Sequence, residues 1–264
     1  MPKKVFIVCY YDLRAMALVA AANKLGIETV EMQHGPQTDL QLAYGSWFNM
    51  PVNGFQVMPR NFWCWDSDSK NKIECWAKYK SGFSAFVGGN PWMDFWNTNQ
   101  AGFKSNTYIL YSLQPSPVTL EQMFTAGLLN TIKNSPVEWF IRLHPRQLEQ
   151  LEKIKTFLKH KEIYNLVKIE DATRLPLPIL LSNTMLHVTN FSGTTIESGL
   201  YGVHTVLLSK TGRDYFPDMI KNGMASYIDG YSETFESDFR KLFYSKKKDT
   251  LSESKIIDKS HVFK

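Results

Sequence analysis

Apolar runs and amphipathic stretches alternate along most of the chain. The run at 5–11 (VFIVCYY) predicts a buried strand. The stretch at 13–26 has apolar residues at helical spacing and ends on a glycine, so it predicts a helix. A second strand is predicted at 27–32. A strand–helix–strand unit of this kind favours a parallel sheet.

The alternation continues after a long polar and aromatic segment that ends near residue 60. We predict a strand at 62–65, a helix at 69–80, and a strand at 84–92 that runs into a Gly-Gly-Asn-Pro turn. The acids in 65–69 (WDSDS) fit either a helix N-cap or a pair of metal ligands. Residues 100–106 (QAGFKSN) are predicted to form a linker.

The second half of the chain is more regular. Strands are predicted at 107–114, 137–143, 166–171, 185–190, 204–209 and 225–229. Helices are predicted at 119–134, 147–160, 177–183, 193–202, 214–223 and 233–245. The whole pattern predicts an α/β fold of two doubly wound, Rossmann-like lobes. We expect a shortened N-terminal lobe at 1–103, a second lobe at 104–245 and a basic polar tail at 246–264.

The composition and the net charge indicate which class of protein and which kinds of ligand to expect. The 264 residues are 44% hydrophobic and 21% charged, which is typical of a globular domain. The net charge of +5 suits a small anionic ligand or an anionic membrane surface, and it gives no indication of nucleic acid. The run SKKKD (245–249) predicts a solvated tail or, alternatively, loose attachment to anionic lipid.

The cysteines and the N-terminal sequence indicate in which cellular compartment the protein is expected. Three widely spaced cysteines with no Cys-x-x-Cys pair indicate neither a disulfide framework nor a zinc site. The N-terminal sequence MPKK leads into a strand without the apolar stretch of a signal peptide. We therefore expect a cytoplasmic protein without a bound metal.

Small, hydroxylated and basic residues follow several of the predicted strands. Ligands of open parallel sheets bind beyond the carboxyl ends of the strands, so these residues are the site candidates. In the first half they are Gln33, His34, Gly35, Asp39 and Asn90. In the second half they are Ser112, Gln114, His144, Arg146, Ser192, Gly193, Thr194, Thr195 and Glu197.

The segment 190–199 (NFSGTTIESG) predicts a phosphate site. A glycine lets an anion approach the backbone at a helix start, and Ser192, Thr194 and Thr195 add hydroxyl donors. Glu197, one turn into the helix, is positioned to accept hydrogen bonds from a ribose diol. The alternative is an ordinary helix N-cap in which a hydroxyl and Glu197 form a capping box.

Two histidines at strand ends are further candidates. Pro145 ends its strand and presents His144 at the sheet edge, where His144 and Arg146 can hold a phosphate. Alternatively, His144 only caps the strand end, and Arg142 and Arg146 are solvated. His34, followed by Asp39, is a candidate general base or a structural loop histidine.

Five segments together resemble one family of enzymes. They are residues 21–35 (AANKLGIETVEMQHG), 87–94 (VGGNPWMD), 108–115 (YILYSLQP), 140–147 (FIRLHPRQ) and 188–208 (VTNFSGTTIESGLYGVHTVLL). Their order is similar to that in GT-B glycosyltransferases of bacterial surface-polysaccharide assembly, such as capsule Kdo transferases, sialyltransferases and CDP-glycerol glycerophosphotransferases.

The resemblance implies roles for these candidates. His144, Arg146 and 192–195 would hold the donor phosphate with Ser112 and Gln114, and Glu197 would hold the ribose. His34 would be the base on the acceptor side, with Gln33, Gly35, Asp39 and Asn90 around it. The implied activity is metal-independent transfer of a sugar from a nucleotide-sugar donor to a glycan or glycolipid acceptor at the inner-membrane surface, without a cofactor.

Three other functions stay open at this stage. A CDP-glycerol-type glycerophosphotransferase would use the same strand-end residues. A non-catalytic subunit that only binds nucleotide or a partner would fit the shortened first lobe. A nucleotide-sugar epimerase would share the two-lobed fold, but RLHPRQ and QHG together resemble the transferases more closely.

Overall fold

The computed structural model describes residues 2–37, 40–45, 49, 51, 54–79, 82–99, 108–115 and 117–252. The chain divides into two compact units, Met1–Asn99 and Gln100–Lys264. The sequence predicted a division at 103/104. Each unit contains its own parallel sheet.

The first unit contains a four-stranded parallel sheet in the order β1-β2-β3-β4. Its elements are β1 (Lys4–Ile7), α1 (Leu13–Lys24), β2 (Glu28–Met32), β3 (Asn61–Cys64), α2 (Ser67–Ala77), β4 (Ser84–Val87) and α3 (Pro91–Asn99). Asp12 caps α1 by accepting a hydrogen bond from the Arg14 N–H, and Gly26 follows the helix with a φ of +69°. Asp66 likewise caps α2 and accepts from the Ser69 N–H at 2.7 Å.

One face of this sheet forms the core of the first unit. Ile7, Glu31, Phe62 and Ala85 lie in register across the four strands, and all four are buried. The apolar members of this row pack with residues of α1 and α2, including Val19 and Ile73. A carboxyl group therefore occupies a position inside an apolar row.

The second unit contains a six-stranded parallel sheet in the order β10-β9-β8-β5-β6-β7. Its strands are β5 (Tyr108–Ser112), β6 (Glu138–Arg142), β7 (Val167–Lys168), β8 (Thr184–Thr189), β9 (Thr205–Leu207) and β10 (Ala225–Tyr227). The chain moves from β5 outward to β7 and then crosses back to β8 on the other side of β5. The crevice between β5 and β8 is the topological switch point, where ligands of such sheets bind.

Helices cover the second sheet. They are α4 (Leu120–Met123), α5 (Ala126–Lys133), α6 (Leu151–His160), α7 (Glu170–Arg174), α8 (Leu177–Leu181), α9 (Thr194–Leu200), α10 (Lys210–Tyr215), α11 (Pro217–Lys221) and α12 (Phe235–Ser252). Trp139 and Ile141 of β6 are fully buried in a core cluster with Leu128 of α5 and Phe239 of α12. On the other side of the sheet, the Tyr108 hydroxyl donates to the Leu180 carbonyl of α8.

Several predicted elements differ from the observed ones. The predicted strand 84–92 ends at Val87, and α3 begins at Pro91, a residue type that is favoured at the first position of a helix. The predicted helix 119–134 is split into α4 and α5 because Thr125 caps a new helix. The predicted strand 166–171 is two residues long and is followed by α7. Helix α12 continues to Ser252, so residues 246–252 extend it where the sequence predicted the tail.

Candidate functional site

Site candidates gather at the carboxyl ends of the central strands of the second sheet. Ser112 at the end of β5 lies in register with Arg142 on β6 and Thr189 on β8. His144 follows β6, and the turn 192–195 follows β8 and leads into α9. These candidates therefore flank the central strand β5 on both sides.

His144 has a defined hydrogen-bonding role. It precedes a short 3-10 helix, Pro145–Gln150, and its Nδ1 accepts a hydrogen bond from the Arg146 N–H at 3.1 Å. Because Nδ1 is the acceptor, the proton of the neutral ring lies on Nε2, which is then a donor. Burial, followed by the nearby Arg146 charge, lowers the pKa of His144. The side chain therefore presents a neutral N–H donor near neutral pH.

A chain of hydrogen bonds ties the three strand ends together. Gln147, behind His144, donates to the Gln114 carbonyl at 2.7 Å. Gln114 donates through Nε2 to the Thr189 hydroxyl at 3.4 Å, and that hydroxyl accepts from the Ser192 N–H at 3.2 Å. The loops after β5, β6 and β8 are therefore held in one arrangement.

Hydrogen bonds between its own residues stabilise the turn 192–195. Ser192 Oγ donates to Thr194 Oγ1 at 3.1 Å and accepts from the Thr194 N–H at 3.3 Å. Gly193 is the N-cap of α9 and offers no side-chain cap, so the alternative capping box with Glu197 does not form. The Thr195 hydroxyl is fully buried and has no hydrogen-bond partner among the described residues.

Glu197 is a partly buried carboxyl beside a cation. The charge that acts on it is that of Arg142. Burial raises its pKa to about 7, and the charge of Arg142 opposes that rise. Arg142 is held in place by hydrogen bonds of 2.6 Å from its guanidinium to the carbonyls of Ala172 and Leu175. A carboxyl at this edge of the sheet can accept hydrogen bonds from the hydroxyl groups of a ligand.

Of three other predicted residues, two are buried and structural and the third is exposed. Ser112 is 4% exposed, and its hydroxyl contacts Nε2 of the buried His187 at 3.1 Å, so it lies beneath the edge of the sheet. Gln114 is also buried and links the loops described above. Arg146 is exposed at the start of the 3-10 helix, where its side chain is available to an anion.

In the first unit, His34 lies in a compact polar cluster at the end of β2. Its Nε2 is 3.0 Å from Cys9 Sγ and 3.3 Å from the Tyr11 hydroxyl oxygen. Its Nδ1 faces the Glu31 carboxyl, 3.9 Å from Oε1. Burial lowers the pKa of His34, and a hydrogen bond with the Met32 backbone opposes this. The imidazole is therefore neutral near pH 7 and can accept a proton.

Glu31 organises this cluster from within the sheet. Oε1 accepts from the Cys9 N–H at 3.1 Å and from the Tyr44 hydroxyl at 2.5 Å, and Oε2 accepts from the Tyr10 N–H at 3.2 Å. Burial raises its pKa to about 7, although these three hydrogen bonds lower it. The carboxyl therefore fixes the loop after β1 against the end of β2.

The remaining acceptor-side candidates have structural surroundings or lie outside the described residues. The buried Gln33 amide donates to the Gly35 carbonyl and to Ser69 Oγ, both at 3.0 Å, and its oxygen accepts from the Trp65 N–H. Asn90 caps α3 by accepting from the Met93 N–H. Asp39 lies outside the described residues. Of the first-unit candidates that the structure describes, His34 is the one whose neighbours include a thiol and a phenol.

Sequence reasoning missed several of these residues. Cys9, Tyr11 and Glu31 lie within predicted strands and carried no motif, and Arg142 was considered only as a solvated residue. The sequence does carry one signal for Glu31: it is a charged residue inside an apolar strand. Such a residue is buried only when it has hydrogen-bonding or charged partners. The partners of Glu31 are distant in sequence, so no local spacing reveals them.

Among the described residues, no group of three or more His, Cys, Asp or Glu side chains is placed to hold a metal ion. Within the same residues, no helix combines the length and the apolar character needed to cross a bilayer.

Comparison with known proteins identifies the fold. No family model matches the chain, and neither does any curated protein sequence. Similar solved structures include the UDP-GlcNAc 2-epimerase of Methanocaldococcus jannaschii in complex with UDP-GlcNAc and UDP, at 18% identity and a TM-score of 0.58. The match covers 92% of this chain and 69% of the epimerase.

Two further structures agree with this match. The UDP-GlcNAc 2-epimerase of Neisseria meningitidis bound to UDP-GlcNAc is 17% identical, with a TM-score of 0.60, and the match covers 93% of this chain and 70% of the enzyme. The S. aureus MnaA structure with UDP is 13% identical with the same TM-score, and 93% and 68% of the two chains are covered. The chain therefore has the α/β fold of two Rossmann-like lobes known as GT-B, as the sequence predicted.

Proposed function

We propose that this chain is a nucleotide-sugar-dependent glycosyltransferase that moves a sugar to a hydroxyl of a glycan or glycolipid acceptor. The second unit binds the donor, and the first unit supplies the base. The observation that carries the proposal is the group of hydrogen-bond donors, together with the Glu197 carboxyl, around the switch point between β5 and β8. The fold, which the chain shares with structures that contain UDP or UDP-GlcNAc, supports the same class of ligand.

Donor binding follows from the chemistry of these groups. A nucleoside diphosphate needs hydrogen-bond donors for its phosphates and acceptors for its ribose hydroxyls. His144 Nε2–H, the Arg146 guanidinium and the hydroxyl of Thr194, which accepts from Ser192 and keeps its own hydrogen, provide donors. Glu197 provides the acceptor: burial raises its pKa to about 7, and the adjacent Arg142 charge opposes that rise. Donors fixed before the reaction stabilise the negative charge that develops on the leaving phosphate.

His34 is proposed as the general base. The acceptor hydroxyl must lose a proton as it attacks the sugar, and a neutral imidazole can take that proton. The lowered pKa keeps His34 neutral near pH 7, and the ring is partly exposed. In this proposal no step uses a metal ion or cofactor, and the enzyme works at the cytoplasmic face of the membrane where glycolipid acceptors lie.

Epimerisation of a nucleotide sugar is the second candidate, because the structures at 13–18% identity named above include UDP-GlcNAc 2-epimerases. The two reactions have different products. An epimerase inverts one carbon of the sugar and keeps the sugar on the nucleotide. A transferase releases the nucleotide when an acceptor is present.

The experiment is proton NMR of the chain with a panel of UDP-, GDP- and CMP-activated sugars, with and without a mixture of lipid-linked and free glycan acceptors. Free nucleotide that forms only with acceptor supports transfer, and a new sugar isomer on intact nucleotide supports epimerisation. His34→Gln should abolish transfer and leave nucleotide binding intact, whereas His160→Gln, which changes an exposed residue at the end of α6, should change neither. Transfer at an unchanged rate in His34→Gln would contradict the assigned base.

A further inference from the structure

Cys9 is held in an unusual position beside His34. It follows β1 by two residues and has a φ of +59°, in the left-handed region that non-glycine residues seldom adopt. Two hydrogen bonds hold its backbone there. Its N–H donates to Glu31 Oε1 at 3.1 Å, and its carbonyl accepts from the Asp12 N–H at 2.9 Å. The thiol is consequently fixed, partly exposed, at the carboxyl end of the sheet.

The thiol and the imidazole share a proton. Cys9 Sγ lies 3.0 Å from His34 Nε2, which is a hydrogen-bond distance that requires a proton between the two atoms. The ring also donates a hydrogen bond to the Met32 backbone, and with Nε2 against the thiol we assign that proton to Nδ1, which lies 3.9 Å from Glu31 Oε1. Nε2 then carries the lone pair that accepts the thiol proton. A nucleophile and a base are therefore together.

We propose that Cys9 and His34 form a thiol–imidazole pair that undergoes thiol–disulfide exchange with small, soluble disulfides. His34 Nε2 takes the proton from Cys9, and the sulfur attacks one sulfur of the disulfide. The S–S bond of the reagent breaks as the new S–S bond to Cys9 forms. The departing thiolate takes the proton from His34. One mixed disulfide and one free thiol result, with no net oxidation.

The modification has a consequence that rests on the proposed function. A mixed disulfide at Cys9 occupies the space beside His34 Nε2, the atom assigned as the base for the acceptor hydroxyl. The reduced chain is then competent for transfer, and the modified chain is blocked. The class of ligand is a low-molecular-weight disulfide, which connects the acceptor side of the enzyme to the thiol redox state of its surroundings.

The chain supplies its own internal reference for a test. Cys75 lies exposed on α2, and Cys64 is buried in β3. The reduced, full-length protein is treated with dithionitrobenzoate or glutathione disulfide, and peptide mass spectrometry follows each cysteine over time. We expect Cys9 to react about tenfold faster than Cys75 or more, because His34 Nε2, 3.0 Å from Cys9 Sγ, can take the thiol proton as the sulfur attacks.

Two variants separate the role of His34 from general exposure. In His34→Gln the Cys9 rate should fall by about tenfold while the Cys75 rate stays the same, and His160→Gln should alter neither. A Cys9 rate equal to or below that of Cys75 would overturn the proposal, as would a Cys9 rate unchanged in His34→Gln. If that variant is unstable, the comparison of the Cys9 and Cys75 rates within the wild-type chain still tests the proposal. Since no nucleotide takes part, failure of the proposed transferase function leaves this result unaffected.

Discussion

Replacing Glu31 by Gln tests the unusual carboxyl in the first unit. The carboxyl is fully buried, and burial raises its pKa from 4.5 to about 7. A raised pKa means that the folded chain holds the proton more tightly than the unfolded chain does. The resulting stabilisation is fully present below pH 4.5, and it is lost as the pH rises through about 7.

The magnitude follows from the gap between these two pKa values. Each unit of difference between the folded and unfolded pKa values is worth 1.36 kcal/mol, so the wild type should lose about 3 kcal/mol of unfolding free energy between about pH 4 and about pH 8. Glutamine cannot ionise, so Glu31→Gln escapes this loss. We therefore expect the unfolding free energy of the variant, relative to the wild type, to rise by about 3 kcal/mol over that pH range.

The assay is urea denaturation followed by tryptophan fluorescence at a series of pH values. Of the seven tryptophans, only Trp139 lies after residue 99, so the signal reports mainly on the first unit. Glu28→Gln is the matched control, because Glu28 lies on the same strand but pairs with Lys4 at the surface. Parallel pH profiles for wild type and Glu31→Gln would refute the reasoning.

Two further substitutions test the second unit. Trp139→Ala should lower the unfolding free energy by about 3–5 kcal/mol, because the indole is fully buried in the core, and a loss below about 1 kcal/mol by circular dichroism in urea would contradict this. In Gly212→Ala the new Cβ would overlap the Asn190 carbonyl oxygen in the loop before the turn 192–195. Gly212→Ala should lower the unfolding free energy by about 1–3 kcal/mol and weaken nucleotide binding. Gly35→Ala, where no atom lies within 4 Å of the new Cβ, should change neither quantity. Equal nucleotide affinities by calorimetry and equal melting temperatures for the two variants would contradict the assignment.

The alternation of strands and helices could be predicted because the elements are short and each has a local signal. Apolar β-rich runs indicated the strands of both sheets, and glycines and capping residues marked many of the helix ends. Strand order could not be predicted, since nothing local indicates that β8 crosses back to pair with β5. Helix α3 was missed because its aromatic residues and Pro91 are equally compatible with a strand and a turn.

The candidate site was predictable only in part. His144, the turn 192–195 and Glu197 were found because they follow predicted strands and carry recognisable chemistry. Arg142 was not, since its role depends on carbonyl groups at Ala172 and Leu175, far along the chain. Glu31 and Cys9 were missed for the same reason: their contacts join β1 to β2, and spacing along the sequence does not record such contacts.

Isothermal titration calorimetry with nucleoside mono- and diphosphates tests the central claim, that the second unit binds a nucleotide, most directly. The titrations use the wild type, His144→Ala, Glu197→Ala and the control Glu233→Gln, which changes an exposed acid in the same unit. We expect one nucleotide to bind without added divalent metal, about tenfold weaker binding in each of the two site variants, and no change in the control. Binding that is equal in the wild type and both site variants, or absent for every nucleotide, would contradict the account.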